Sequence, residues 1–288
     1  MAFGSDNLGL PRTALTLLRD LVHEHTGLFY ENGRCDALAD RLGPLVTGRG
    51  FDSFLDYYYF LKYDPQSSTE WHAVMDALAV PETYFWREVD QLRAIADVVV
   101  PELERRVHGR PIRIWSVPCA TGEEPLTMAM LLDQAGWFER TPIQVVASDA
   151  SPAALEAAQR GLYRERAFRS LPLHLRQRYF TREGDRWRVD PVLHGRVGPW
   201  SRVNLLEADQ VAREANADVI LCRNVFIYFS QSAIRRVVSQ FADHMPETAY
   251  LCVGAAESLL RITDRFDLEE IARAFVYVKR PAGTEGQQ

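Results

Sequence analysis

Lysine is nearly missing from this chain. Only Lys62 and Lys279 occur in 288 residues, so the 33 basic side chains are almost all arginine. Positive charge is also in deficit: 39 acidic residues leave a net charge of −6. That balance argues against a partner held chiefly through phosphates, so no nucleic acid is expected. Cysteine is scarce too. Cys35, Cys119, Cys222 and Cys252 stand far apart with no C-x-x-C spacing, which argues against a metal centre or a disulfide framework and fits a reducing cytoplasm. No apolar run approaches the ~20 residues of a membrane span. Met1 to Pro11 lacks a charged flank followed by an apolar core, so it does not read as a signal peptide. What remains is ordinary for a folded domain: 47 % hydrophobic and 25 % charged residues.

The apolar spacing changes character near residue 110. Before it, the i, i+3, i+4, i+7 pattern predicts helices. Leu15, Leu18 and Val22 mark one, and Leu38, Leu42 and Leu45 a second. Phe51, Phe54, Leu55 and Tyr58 mark a third, and Trp71, Val74, Met75 and Leu78 a fourth. A further helix is expected from Glu88 to Val107. After residue 110, strands alternate with helices. Strands are expected at Ile112–Val117, Gln144–Ser148, Val219–Cys222, Tyr250–Val253 and Phe275–Val278. Helices are expected at Glu123–Ala135, after Ser151 through Arg160, and at Gln231–His244. This alternation predicts a mostly parallel α/β sheet with helices on both faces. Tyr179–Thr181 and Arg186–Val189, joined through Gly184–Asp185, read as a β-hairpin inserted within 179–204. The expected organisation is an all-α unit over 1–80, a linker motif and helix over 81–109, an α/β domain over 110–281 and a disordered tail over 282–288.

Three segments could carry chemistry. The loop Trp115-Ser116-Val117-Pro118-Cys119-Ala120-Thr121-Gly122-Glu123-Glu124-Pro125 joins the first strand to its helix, at the rim where doubly wound folds bind ligands. It is neither G-x-G-x-x-G nor a P-loop, and Glu123 and Glu124 would repel a phosphate at the helix start. The loop suits a ligand bearing hydroxyls and positive charge. Equally, two acidic residues there could do no more than cap the helix. Asp149 closes the second strand, where an acidic residue can accept hydrogen bonds from ribose hydroxyls; it could also belong to a simple turn. Cys222-Arg223-Asn224-Val225-Phe226-Ile227-Tyr228-Phe229 ends a third strand at the same rim, as a polar site or as an aromatic cluster with an adjoining arginine.

Those segments occur in a fixed order together with Glu82-Thr83-Tyr84-Phe85-Trp86-Arg87 and Asn204-Leu205-Leu206. As a set they resemble the CheR family of chemotaxis-receptor glutamate O-methyltransferases, over nearly the whole chain. The resemblance implies a Rossmann-like, class I S-adenosylmethionine-dependent methyltransferase domain with a small β insertion, preceded by an all-α domain. It implies S-adenosylmethionine as cofactor and S-adenosylhomocysteine as product. By the same resemblance, Thr83 and Arg87 contact the methionine end, and Glu124, with Glu123, lies in the cofactor pocket. Asp149 holds the ribose, and Asn204 and Leu205 flank the adenine. Arg223 and Asn224 line the methyl-donor end, with Arg87 and Tyr228 at the reaction centre. The implied partner is the cytoplasmic helical bundle of a chemoreceptor, with no direct membrane insertion.

The sequence departs from the family pattern at several places. Pro81 stands where many members have Asn, Trp86 replaces a Phe, and Ala255-Ala256 replace His and Ser. The segment Arg34 to Arg49, expected to dock the receptor, mixes Arg34, Arg41 and Arg49 with Asp36 and Asp40 and is not strongly basic. The inserted hairpin is short, which leans against its gripping a receptor's pentapeptide tether. Two other readings stand beside the enzyme: a non-catalytic signalling module that binds S-adenosylmethionine or S-adenosylhomocysteine, and a methyltransferase for small molecules.

Overall fold

The computed structural model describes residues 12–31, 35–80 and 82–279. Arg34, Pro81 and the tail 282–288 fall outside the described residues. Among those described, no helix is long and apolar enough to cross a membrane.

Four helices come first: α1 (Arg12–Thr26), α2 (Cys35–Gly48), α3 (Phe54–Tyr63) and α4 (Ser67–Leu78). Their helical-spaced residues meet in one core of Leu18, Val22, Leu38, Leu42, Phe54, Tyr57, Val74 and Leu78, as an amphipathic stripe requires. Ser53 caps α3 by accepting the Asp56 N–H. Two arginines of the expected docking segment are engaged within the helical domain. Arg41 donates to the carbonyls of Ala77, Leu78 and Ala79 at the end of α4, where a cation complements the unpaired carbonyls. Arg49 pairs with buried Glu70. Asp36 and Asp40 stay exposed, so the described surface of α2 is acidic rather than basic.

The α/β unit is built on a seven-stranded sheet. Its strands are β1 (Ile112–Ser116), β2 (Ile143–Asp149), β6 (Val197–Arg202), β7 (Val219–Leu221), β8 (Tyr250–Cys252), β9 (Phe266–Ile271) and β10 (Ala274–Lys279), in the order β6-β2-β1-β7-β8-β10-β9. The first five run parallel, and β10 lies antiparallel between β8 and β9. Alternate strand residues serve opposite faces. Ile114, Val145, Val219 and Cys252 join one core; Trp115, Val146, Ile220 and Leu251 join the other. Burial on both faces explains why these strands read as short unbroken apolar runs.

Several boundaries differ from the sequence reading. The insertion is a three-stranded sheet, β3 (Leu162–Arg164), β4 (Phe180–Glu183) and β5 (Arg186–Val189), in the order β3-β5-β4. It begins before Tyr179, which closes the helix Leu173–Tyr179. The expected hairpin is therefore only part of it, and its shortness no longer argues against a tether. Val197–Arg202 pairs with β2 in the main sheet and so does not belong to the insertion. The helix expected from Glu88 is Val89–Ala94, a π-helical turn Ile95–Val99, then Val100–Arg106.

Phe85 ties the linker to the insertion. It is fully buried, its N–H donates to the Ala167 carbonyl at 2.9 Å, and its ring packs on Tyr163, Phe168 and Phe180. Truncating it leaves a ring-sized cavity among aromatic walls. Phe85→Ala is expected to lower unfolding free energy by about 3–5 kcal/mol, measured by urea denaturation; a loss below ~1 kcal/mol would show that the site collapses freely.

Candidate active site

The carboxyl ends of β1, β2 and β7 open into one cavity, covered by the helical domain. Thr26, Leu28, Met75 and Leu78 form part of its wall. Nine of the ten side chains expected at the site line it: Thr83, Arg87, Glu124, Asp149, Asn204, Leu205, Arg223, Asn224 and Tyr228. Glu123 does not. It is 4 % exposed and accepts a hydrogen bond from the Thr121 hydroxyl at 2.6 Å. Adjacent helical residues point about 100° apart, so only one of the two glutamates can face the cavity.

Asp149 is held by the loop above β1. One carboxylate oxygen accepts the Ala120 N–H at 2.8 Å, and the other accepts the Ser151 N–H at 2.9 Å. The approach of loop and helix depends on Gly122, at φ +95°, where an added Cβ would stand 3.1 Å from Ala158, Trp200 and Tyr163. Tyr163 in turn donates to the Thr121 carbonyl, so the insertion braces the loop. Burial pushes the Asp149 carboxyl pKa up, against the pull of the Ser151, Ala120 and Ala150 N–H groups. Its remaining lone pairs suit hydroxyl donors. Beside it, Val117, Val203 and Leu205 give the cavity an apolar wall.

Arg223 organises a second cluster. Its side chain is 1 % exposed. One terminal nitrogen donates to Glu124 at 3.0 Å; the other donates to the Arg87 and Glu88 carbonyls at 3.0 and 3.1 Å and reaches the Glu88 carboxylate at 3.3 Å. Glu124 also accepts from the Ser116 hydroxyl at 2.8 Å. Burial raises the Glu124 pKa, opposed by Arg223 and Ser116. Arg223 is thus a clamp between the linker, the helix start and the end of β7.

Arg87 and Tyr228 are less committed. Arg87 makes no ion pair among the described residues; its guanidinium donates to the Glu82 carbonyl and lies 5.7 Å from the Tyr84 ring centre. The other cation near that ring, Arg169 at 3.7 Å, pairs with Glu82. Tyr228 ends a 3-10 turn, Phe226–Tyr228, and its carbonyl accepts the Phe29 N–H at 2.8 Å. Asn204 is bound on both sides of its amide: its oxygen accepts the Leu206 N–H, and its nitrogen donates to the His25 carbonyl at 2.7 Å. The side chain therefore ties the two domains together, and the Leu205 side faces the cavity.

Two participants have no role in the sequence reading, although Glu257 closes the segment Gly254-Ala255-Ala256-Glu257 that the resemblance singles out. Glu88, at φ +46°, accepts from the Asn224 amide and from the Ala255 N–H. Glu257 accepts the N–H groups of Asn224, Gly254 and Ile227. The Ala255-Ala256 departure falls on two exposed side chains, and the bond made there belongs to the backbone.

The donor set fits S-adenosylmethionine. Asp149 matches ribose hydroxyls, and the apolar wall matches a planar base. Glu124 with the rings of Tyr84, Tyr228 and Phe229 matches a cationic centre. Removing Arg223 leaves buried Glu124 without its partner. Arg223→Ala is expected to cost about 3–5 kcal/mol of stability, and adding Glu124→Gln to recover part of it, both read from denaturant midpoints.

Comparison with known proteins agrees with this geometry. Residues 81–275 match the family described as CheR methyltransferase, SAM binding domain, and residues 13–79 match CheR methyltransferase, all-alpha domain. The chain is 31 % identical over 273 residues to chemotaxis protein methyltransferase 2 of Vibrio cholerae serotype O1, covering 94 % of each. It is 32 % identical to the chemotaxis protein methyltransferase of Salmonella typhimurium, covering 86 % of this chain and 84 % of that one. It is also 32 % identical to the probable biofilm formation methyltransferase WspC of Pseudomonas putida, covering 90 % of this chain and 60 % of that protein. With its all-α domain, Rossmann-like sheet and cofactor cavity, the chain belongs to the CheR family of S-adenosylmethionine-dependent methyltransferases.

Proposed function

We propose that the chain methylates glutamate side chains on the cytoplasmic helical bundle of a chemoreceptor, forming methyl esters. The observation that carries this reading is Arg87: a guanidinium lining the cofactor cavity that forms no ion pair among the described residues. It can orient an incoming carboxylate through a charge-assisted hydrogen bond. The other charged groups at the cavity are already engaged: Glu124 with Arg223, Asp149 with backbone N–H groups, and Glu82 with Arg169.

The chemistry asks little of the protein beyond alignment. S-adenosylmethionine supplies a methyl group already activated by its sulfonium. A glutamate carboxylate is ionised at neutral pH, so no base has to remove a proton. Its oxygen forms the new bond to carbon as the sulfur–carbon bond breaks, and the electron pair remains on sulfur. Arg87 positions the carboxylate, and the Tyr228 hydroxyl, which makes no hydrogen bond within the described structure, is available to the same group. Thr83 serves the methionine end, and Asn224 lines the methyl-donor end beside the clamp of Arg223 and Glu124. The helical cover limits water at the site. A helical covering domain also suits a protein acceptor better than a small one, and free thiols at Cys35, Cys119, Cys222 and Cys252 suit the cytoplasm.

Two measurements test the assignment. Methyl-labelled S-adenosylmethionine incubated with receptor cytoplasmic domains is expected to leave label that base releases as methanol; base-stable label would place the methyl on another group. S-adenosylhomocysteine affinity is the second. Hydroxyl donors favour the ionised form of Asp149, whose pKa burial raises, so binding releases a proton and affinity falls as pH drops through that raised pKa. Asp149→Asn is expected to weaken binding by about tenfold to a hundredfold, the ~1.5–3 kcal/mol of hydrogen bonds to a charged acceptor, and to flatten the pH dependence. Calorimetry showing wild-type affinity in the variant would remove Asp149 from the site.

A further inference from the structure

Glu257 stands outside the cavity, yet it collects the backbone of two loops that shape it. One carboxylate oxygen accepts the Asn224 N–H at 2.8 Å and the Gly254 N–H at 2.6 Å; the other accepts the Ile227 N–H at 3.2 Å. Asn224 sits at φ +61°, a left-handed conformation that costs a non-glycine residue about 1 kcal/mol or more. Ile227 lies inside the turn that ends in Tyr228. A single charge therefore holds both the strained residue after Arg223 and the turn that presents the tyrosine. The fit is close: a Cβ at Gly254 would stand 2.5 Å from the Asn224 amide nitrogen and 2.9 Å from the Glu257 carboxylate. Glu88 grips the same pair of loops from the linker side, through the Asn224 amide at 3.2 Å and the Ala255 N–H at 3.0 Å.

We propose that Glu257 is a positioning residue for methyl transfer: its carboxylate, bonded to the Asn224, Ile227 and Gly254 N–H groups, fixes the 224–228 turn and so sets where the Tyr228 hydroxyl stands. The inference rests on the reading that Tyr228 acts at the reaction centre. It explains why the side chains of Ala255 and Ala256 can be small: the segment is anchored by the Ala255 and Gly254 N–H groups and by the glutamate that follows, not by those side chains. Hydrogen bonds to an ionised acceptor are about twice as strong as neutral ones, so an uncharged replacement loosens all three contacts together. In Glu257→Gln the amide also presents donors to N–H groups, and at most one oxygen can still accept.

The test combines exchange and kinetics. Amide hydrogen exchange over 223–229 is expected to quicken by about tenfold or more in Glu257→Gln, while the helical domain is unchanged. Turnover of methyl transfer is expected to fall by about 10²-fold, as for an ångström-scale misplacement, with the acceptor KM moving far less. Glu257→Asp, which keeps the charge but withdraws it by one methylene, is expected to fall between, and stands in if the amide variant does not fold. The decisive comparison is a double-mutant cycle with Tyr228→Phe. If Glu257 acts through the tyrosine, Glu257→Gln adds little in the Tyr228→Phe background. Additive losses, or exchange over 223–229 that matches the wild type, would overturn the inference. An unaltered rate in Tyr228→Phe alone, with quickened exchange in Glu257→Gln, would instead overturn the role given to Tyr228.

Discussion

The site depends on one buried guanidinium. Arg223 carries a full charge at a place with almost no water, and such a charge is tolerated only when paired and hydrogen-bonded. Its partners come from two parts of the chain: Glu124 at a helix start, and the linker, through the Glu88 carboxylate and the carbonyls of residues 87 and 88. Satisfying that charge fixes the linker against the carboxyl ends of β1 and β7. Arg87 and Asn224 follow, because one supplies a clamped carbonyl and the other adjoins the arginine. The Arg87 end of the cavity is therefore assembled by electrostatics, whereas the walls at its other end are apolar.

The helical domain completes the cavity rather than merely adjoining it. Several local devices join the units, and two of them do double duty. Ser151 and Ser230 each cap a helix of the α/β unit by accepting a backbone N–H. The same hydroxyls reach the helical domain, Ser151 at Asp76 and Ser230 at His23. Asn204 adds a bond to the His25 carbonyl. The residues that start helices beside the cavity thus also hold its cover, so local folding and domain closure share the same atoms. Met75 shows the consequence. Its spacing marks it as a core residue of α4, yet it lines the cavity, because the apolar stripe of that helix is wide enough to serve both the bundle and the site.

Much of this was legible in the sequence, for physical reasons. Central strands buried on both faces leave dense apolar runs, so β1, β2, β7 and β8 stand out. Loops at the carboxyl ends of parallel strands converge, so the segments bearing Glu124, Asp149 and Arg223 could be placed at one rim, while the role of each residue comes from the family resemblance. Other features leave no local mark. β9 is an edge strand in which only Phe266 is buried, and β3 is three residues long. The π-helical turn at Ile95–Val99 follows from packing, not from a residue type. The roles of Glu88 and Glu257 were not legible because key partners lie far off in sequence, 167 residues away for Ala255 from Glu88 and 33 for Asn224 from Glu257. The choice between Glu123 and Glu124 turns on helix phase, which two adjacent acids do not reveal.

At the centre of the account is an acceptor that arrives ionised, so that the protein aligns rather than deprotonates. The most direct test is the pH dependence of kcat for methyl-ester formation, from initial rates at saturating cofactor and acceptor. A carboxylate acceptor with no general base predicts a plateau from about pH 6 to about pH 9, well above the ordinary glutamate pKa. A rate that rises tenfold per pH unit within that range would mean that a proton must be removed before transfer, and would contradict the account.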